Sequence, residues 1–322
     1  MMKQLIRSEF KAAWWLPSPH LQTIWPSLFR HRPLLDLHWE RVELRDGDFI
    51  DLTWHESEGP LVLLIHGLEG SLDSHYASTL ISALSKAGFR CLFMHLRGCS
   101  GVPNRLQRSY HSGATEDLVE IIEYLRIKGD VPQAIIGISL GGNLLLKYLG
   151  ESGHDSALQA GVAVSVPFNL ESAVTRLEQG FSQVYNRHLL RKLLKSYMQK
   201  CRSRSFSVVE NFNSIRTIYD FDDRITAIQN GFVDAADYYH RCSCAQFLKH
   251  ITTPTLILHA RDDPFMQPKD VPGLQDLGPG VSLELSDRGG HVGFVQGTLP
   301  GRPVYWLDHR IPAFLKQVLA QD

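Results

Sequence analysis

Residues 137–141 read Gly-Ile-Ser-Leu-Gly, the spacing G-x-S-x-G, with Ser139 at its centre. A serine hydroxyl is a poor nucleophile at neutral pH until a base removes its proton. An imidazole serves best as that base when a carboxylate fixes its tautomer and offsets its charge. Both groups follow in the chain. "LHARDDPF" (258–265) carries Asp262 and Asp263, and "SDRGGHVGF" (286–294) carries His291 in a glycine-flanked loop. Serine, acid, histidine is the chain order used where such a turn leads from strand to helix. The chemistry available to this set is nucleophilic attack on an acyl carbon, with the acyl group resting on Ser139.

By composition alone, G-x-S-x-G turns up in roughly one chain in ten of this length, so the setting carries the argument. The motif ends the apolar run "AIIGIS" and opens "LGGNLLLKYL", a good helix. Glycines on either side let strand and helix approach closely while the hydroxyl stands clear of the backbone. The Leu140 amide then points at any oxyanion formed there, and a second donor is expected from "HGLEGS" (66–71), at the Leu68 amide. Of the fifteen histidines, His66, His75, His95, His111 and His259 read as packing or polar support, because His291 alone has both the order and the glycine setting. Adjacent carboxylates point in different directions from an extended chain, so one of the pair reaches His291. The spacing of a small residue, two more and then an acid, counted from Ala260, ends on Asp263, and Pro264 favours an extended turn there; Asp262 is the alternative. Arg97, in "HLRGCSG" (95–101), either contacts a substrate or braces the loops.

Positioning such a set takes a sheet. "RVELRDGDFIDLTWH" (41–55) has two β-rich arms around Asp46-Gly47-Asp48, a predicted hairpin. Short apolar runs follow at 61–67, 90–98, 134–139, 160–167 and 253–260, with "VSLEL" beyond them. Continuous apolar runs read as strands buried on both faces, and amphipathic stretches near 75–88, 114–128, 140–150 and 309–320 supply the crossovers. The predicted fold class is α/β: a mostly parallel, doubly wound sheet opened by an antiparallel hairpin. The rhythm breaks between 168 and 245, which is polar, basic and aromatic, and reads as a helical cap inserted after the sixth strand, over the carboxyl ends of the strands. The expectation is one domain over 1–322, with that cap and an N-terminal arm over 1–38. The tryptophans of the arm, Trp14, Trp15 and Trp25, either touch a membrane or pin the arm to the domain's own surface; the second is favoured.

Composition excludes several classes. A chain of 322 residues with formal charge −1, 43% apolar and 21% charged, has room for a large core and no bulk attraction to nucleic acid. Five scattered cysteines build no disulfide framework, and Cys242-Ser-Cys244 alone is a weak metal signal. No secretory leader is read at the N-terminus and no run of about 18 uncharged apolar residues occurs, so a reducing cytoplasm is the expected location. No phosphate-binding or dinucleotide-binding glycine motif is present, so neither cofactor nor metal is expected. Within the cap, "RHLLRKLLKSYMQKCRSR" (187–204) places leucines at helical spacing between seven basic residues, with no acid. Its charges are expected to be solvated or paired with "YDFDD" (219–223), the alternative being a rim that attracts anionic substrates or lipid surfaces.

The pieces "HLQTIWP" (20–26), "DGDFIDL" (46–52), "HGLEGS", "HLRGCSG", "YHSG" (110–113), "SLGGN" (139–143), "HARDDPF" and "GGHVGF" run nearly end to end. On them the chain resembles the AB-hydrolase family, bacterial hydrolases together with mammalian membrane-anchored lipases and esterases. The resemblance implies the α/β-hydrolase fold and a serine-esterase triad on Ser139, Asp263 and His291, with no metal or organic cofactor. Unlike the mammalian members, no N-terminal membrane anchor is read here, so their bilayer substrates are not carried over. The expected activity is hydrolysis of a small-molecule ester, acyl or lipid-like, with peripheral membrane contact open. Acyl transfer to an alcohol or thiol would use the same residues. A binding protein that has lost catalysis is the third reading, and the intact order argues against it.

Overall fold

The computed structural model describes residues 3–319; the parts of the expected arm and terminal helix at 1–2 and 320 lie outside the described residues. One sheet holds β1 (Gln4–Arg7), β2 (His38–Glu43), β3 (Phe49–His55), β4 (Leu61–Ile65), β5 (Arg90–Met94), β6 (Ala134–Ile138), β7 (Ala160–Val164), β8 (Thr255–Ala260) and β9 (Val281–Ser286), in the order β1-β9-β8-β7-β6-β4-β5-β3-β2. From β1 to β5 the neighbours run parallel, and β3 pairs antiparallel with β5 and β2, closing the hairpin expected at 41–55. β10 (Val295–Gln296) and β11 (Val304–Tyr305) form a separate small ribbon.

Period-two alternation splits each apolar run between two cores. Leu61, Leu63 and Ile65 of β4 join Ile135 on one face, whereas Val62 and Leu64 join Ala134, Ile136 and Ile138 on the other. The first core is covered by α3 (Thr115–Lys128) and α4 (Leu140–Ser152), the second by α2 (Ala77–Lys86) and α10 (Leu307–Leu319). Helices on both faces make the sheet doubly wound, as the sequence indicates. α1 (Pro19–Phe29) lies ahead of β2.

Counted in chain order, the helical segment follows the seventh strand, not the sixth. The added strand is β1, an exposed "QLIR" that pairs in parallel with β9, Leu5 opposite Leu283. An edge strand of four residues with no buried face has no apolar alternation to betray it. Between β7 and β8 lie α5 (Leu170–Leu177), α6 (Gln183–Arg204), α7 (Ile218–Phe221), a π-helical turn at Asp222–Thr226, α8 (Ala227–Gln229) and α9 (Ala235–Cys242). These helices have apolar clusters of their own. The larger, which includes Tyr185, Leu193, Tyr197 and Phe221, packs against Ile24 of α1, Leu68 and Phe265. Among the described residues no helix is long and apolar enough to cross a membrane.

Candidate active site

Ser139 sits between β6 and α4 with φ 55° and ψ −115°, a conformation that costs a non-glycine residue and is held by its surroundings. Its N–H donates to Val164 O (2.8 Å), and the next helical turn begins with Gly142 and Asn143 N–H donating to Ser139 O. The turn closes so tightly that a Cβ on Gly137 would lie 2.2 Å from Gly141 O, and one on Gly141 would lie 2.5 Å from Ile65 O. Glycine is required at both places because backbone fills the space.

The structure brings Ser139, His291 and Asp263 into one line. His291 Nε2 is 3.0 Å from Ser139 Oγ, and His291 Nδ1 is 2.8 Å from Asp263 Oδ2. Asp263 is buried, and its other oxygen accepts from Phe265 N–H (2.9 Å). A proton on Nδ1, donated to that carboxylate, leaves Nε2 free to accept from the serine. Asp262 faces elsewhere: its Oδ1 accepts from Gly290 N–H (3.0 Å). Burial raises the Asp262 carboxyl above its ordinary range, with the Asp263 charge adding to it and the Gly290 and Gly289 amides opposing.

Leu68 and Leu140 flank this line. Among the described residues neither N–H donates to a protein acceptor, so both amides are open. Gly67, next to Leu68, lies against the serine: a Cβ there would be 3.7 Å from Ser139 Oγ. The loop carrying Leu68 is fixed on both sides. Gly67 N–H donates to Tyr76 Oη (3.1 Å), and Glu69 N–H donates to Tyr110 Oη (2.9 Å). His66 accepts from Leu96 N–H at Nε2 (3.0 Å), which places its proton on Nδ1, 2.7 Å from Gly67 O. Burial lowers its pKa to about 3, so it is a neutral strut between two loops.

Beyond Leu68 and Leu140 opens a cavity of about 490 Å³, with His95 and Arg97 among its lining on the sheet side and Lys200 and Asp222 on the helical side. Neither Ser139 nor His291 lines it, so it lies beside the dyad rather than around it. Arg97 is buried in a bidentate pair with Asp117 (2.7 Å to each oxygen) and within 2.9 Å of Asp46 and 3.1 Å of Asp48. These three carboxylates hold it charged against the cost of burial, so Arg97 braces the hairpin tip and α3. His95 bonds Thr53 Oγ1 (2.9 Å) and is lowered to about 4 by burial. Among the described residues no group of three or more His, Cys, Asp or Glu is placed to hold a metal, and all five cysteines are free.

Four supports escape the sequence reading. Phe265 stacks on the His291 ring at 3.9 Å and 4°. Thr23 of α1 accepts from His291 N–H (2.9 Å) and donates to Pro19 O (2.7 Å). Ser165 Oγ accepts from Val292 N–H (3.0 Å). Asn143, fully buried, donates to Ser112 O and Cys242 O and accepts from Cys244 N–H, tying α4 to the end of the helical segment. The signal for Thr23, Phe265 and Asn143 was present in "HLQTIWP", "DDPF" and "SLGGN", without a partner to interpret it. The N-terminal tryptophans pin the arm: Trp14 and Trp15 donate to Thr298 O and Gly297 O, and Trp15 packs edge-on against Trp25.

A sequence profile described as the alpha/beta hydrolase fold matches residues 60–298. YheT of Escherichia coli (strain K12), which bears an esterase name, is 45% identical over 309 residues, covering 93% of this chain and 91% of its own. Phospholipase ABHD3 of Homo sapiens is 29% identical over 298 residues, 88% of this chain and 73% of its own. The esterase Pf2001 of Pyrococcus furiosus superposes with a TM-score of 0.58 at 18% identity, covering 88% of this chain and 93% of its own.

Proposed function

The chain belongs to the alpha/beta hydrolase family, and from that premise we propose that it is a serine-dependent hydrolase of carboxylic esters working through an acyl-enzyme. The observation that carries this reading is the hydrogen-bonded line from Ser139 Oγ through His291 to Asp263. Ser139 attacks the ester carbonyl as His291 Nε2 takes its proton, while Asp263 holds Nδ1–H and stabilises the imidazolium. The open amides of Leu68 and Leu140 donate to the oxyanion. Collapse expels the alcohol, which takes the proton from His291. Water then gives its proton to His291 and attacks the acyl-serine, releasing the acid and returning the proton to Ser139.

In this reading the substrate is a small, acyl or lipid-like ester, in keeping with the esterase and phospholipase names of the relatives. Residues 168–245 act as a cap within a single domain, roofing the cavity beside the dyad. A fluorophosphonate probe tests the assignment. The wild-type protein should label, and Ser139→Ala should abolish labelling and lower ester turnover by about four to six powers of ten. Labelling that survives Ser139→Ala, or a wild type inert to both the probe and a panel of esters of graded acyl length, overturns it.

A further inference from the structure

α6 carries seven basic residues and no acid in 22 residues. Two are consumed inside the protein. Lys200 donates to Gln107 O, Arg108 O and Ser109 Oγ, and Arg204 donates to Asn104 O and Pro103 O. Arg187, Arg191, Lys192, Lys195 and Arg202 are exposed, and among the described residues none forms an ion pair. Lys192 makes one long contact, 3.4 Å to Glu69 O.

One acid, Glu69, lies against α6, its carboxylate accepting from Ser196 Oγ (2.6 Å) and Tyr110 Oη (2.8 Å) near Lys192; the acids of the following segment are occupied elsewhere. Asp220 accepts from Arg216 and Thr217 N–H, Asp222 accepts from Thr226 and Tyr239, and Asp223 accepts from Ala235 N–H. The pairing with "YDFDD" that the sequence allowed does not form. Glu178 and Glu210 flank the helix as exposed acids and are likewise unpaired with it. In a chain of net charge −1, this is a local excess of positive charge on one surface.

The same surface has an apolar end. A helical period puts Val184, Arg187, Arg191, Lys195 and Arg202 on one outer face. Val184 and Phe181, just before the helix, are each 50% exposed, and Leu21 of α1 is 45% exposed. α1 and the start of α6 are neighbours, because His20 lies 4.4 Å from the Phe181 ring and 3.1 Å from Tyr185 Oη. From there a row of rings leads inward: Tyr185 packs on Phe265 (4.9 Å), and Phe265 stacks on His291. The apolar end is therefore the end nearest the dyad.

A merely solvated face would not need exposed Phe181, Val184 and Leu21, and a polyanion such as nucleic acid would be met by the cations alone. Cations beside exposed apolar side chains are the combination that suits an anionic lipid surface. We propose that the outer face of α6 docks on such a surface, with Phe181 and Val184 at the leading, active-site end. The inference does not depend on ester hydrolysis and is testable on catalytically silent protein.

The experiment uses full-length Ser139→Ala protein and vesicles of phosphatidylcholine, with or without about one third phosphatidylglycerol, followed by co-sedimentation across a salt series. Each cation near an anionic leaflet contributes roughly fivefold to partitioning, so Arg191→Gln/Lys195→Gln should lose about 25-fold at low salt. Phe181→Ser should weaken binding to the same vesicles while leaving its salt dependence in place. The charge variants, made in the same Ser139→Ala protein, should keep its circular dichroism spectrum and thermal unfolding midpoint, so a folding defect would be seen. Absence of binding to anionic vesicles, equal binding to neutral ones, or indifference to the charge substitutions overturns the proposal. So does salt-sensitive binding to a short DNA duplex with none to vesicles, which would assign the face to polyanions.

Discussion

Two neighbouring carboxylates do different work because an extended turn sends them apart. Asp263 is buried, bonded to His291 Nδ1 and stiffened by Phe265 N–H, whereas Asp262 receives the Gly290 amide and supports the loop behind the histidine. Asp263→Asn would present a donor to Nδ1 and turn the imidazole to the wrong tautomer. Turnover should fall several thousandfold, while Asp262→Asn, which can still accept from Gly290, should cost less than about tenfold. Steady-state kinetics on one soluble ester ranks the two, and the reverse ranking would move the acid to Asp262. Ser139 and His291 were legible in the sequence because their signals are local, a glycine-bracketed turn and a glycine-flanked loop in the right order. Asp263 was legible by spacing. The fate of Arg97 was not, since its partners Asp46, Asp48 and Asp117 come from a hairpin tip and a helix that only the fold brings together.

At the scale of elements, the arm is part of the site although it precedes the region matched by the family profile, residues 60–298. α1 reaches across the chain: Thr23 takes the His291 amide, and Gln22 accepts from Val295 N–H (2.8 Å) and donates back to Val295 O (3.1 Å). The loop holding His291 is thus clamped from outside the sheet. Thr23→Val keeps the shape and removes the acceptor, leaving a buried N–H unpaired. That should lower stability by about 1–2 kcal/mol and kcat by roughly ten- to a hundredfold through misplacement of the imidazole, with KM little changed; Thr23→Ser should restore most of the rate. A loss shared by Ser and Val, or one confined to KM, would make the contact structural only. The strands and crossover helices were readable because period-two and period-3.6 apolar patterns follow from burial itself. The arm's role and β1 were not, because bonds spanning 268 residues and an exposed four-residue edge strand leave no periodic trace.

In the molecule as a whole, the helices between β7 and β8 have their own apolar clusters and face the sheet across the cavity, and Asp222 lies on that seam. It opens the π-helical turn and ties it to α9, accepting from Thr226 Oγ1 and Tyr239 Oη at 2.7 Å each. Burial pushes its carboxyl up to about 6 from an ordinary 3.8, with those two donors opposing the rise. Protein surrounds it except where it faces the cavity, which gives it partial access to water. Between pH 3.8 and 6 the folded state keeps a proton that the opened chain releases, so stability falls as pH rises through that window. Below it both states are protonated and the difference vanishes; above it both are ionised and the full penalty stays. The Tyr238, Tyr239 and His111 side chains packed nearby do not titrate there. Burial, together with the Asp222 charge, raises the Tyr238 and Tyr239 hydroxyls well above their usual range, and burial lowers His111 to about 3. Opening of residues 218–242 should therefore be easier at pH 7.5 than at pH 5 by on the order of 1 kcal/mol, less than the full shift because only the part of the window above pH 5 is crossed and the cavity admits water. Asp222→Asn should flatten that dependence and leave the sheet strands unaffected. Amide hydrogen exchange, corrected for intrinsic rates, reads both at once. Protection that is constant or rises from pH 5 to 7.5 in the wild type would mean that the cavity solvates Asp222 as well as bulk water does, and that the seam carries no ionisation penalty.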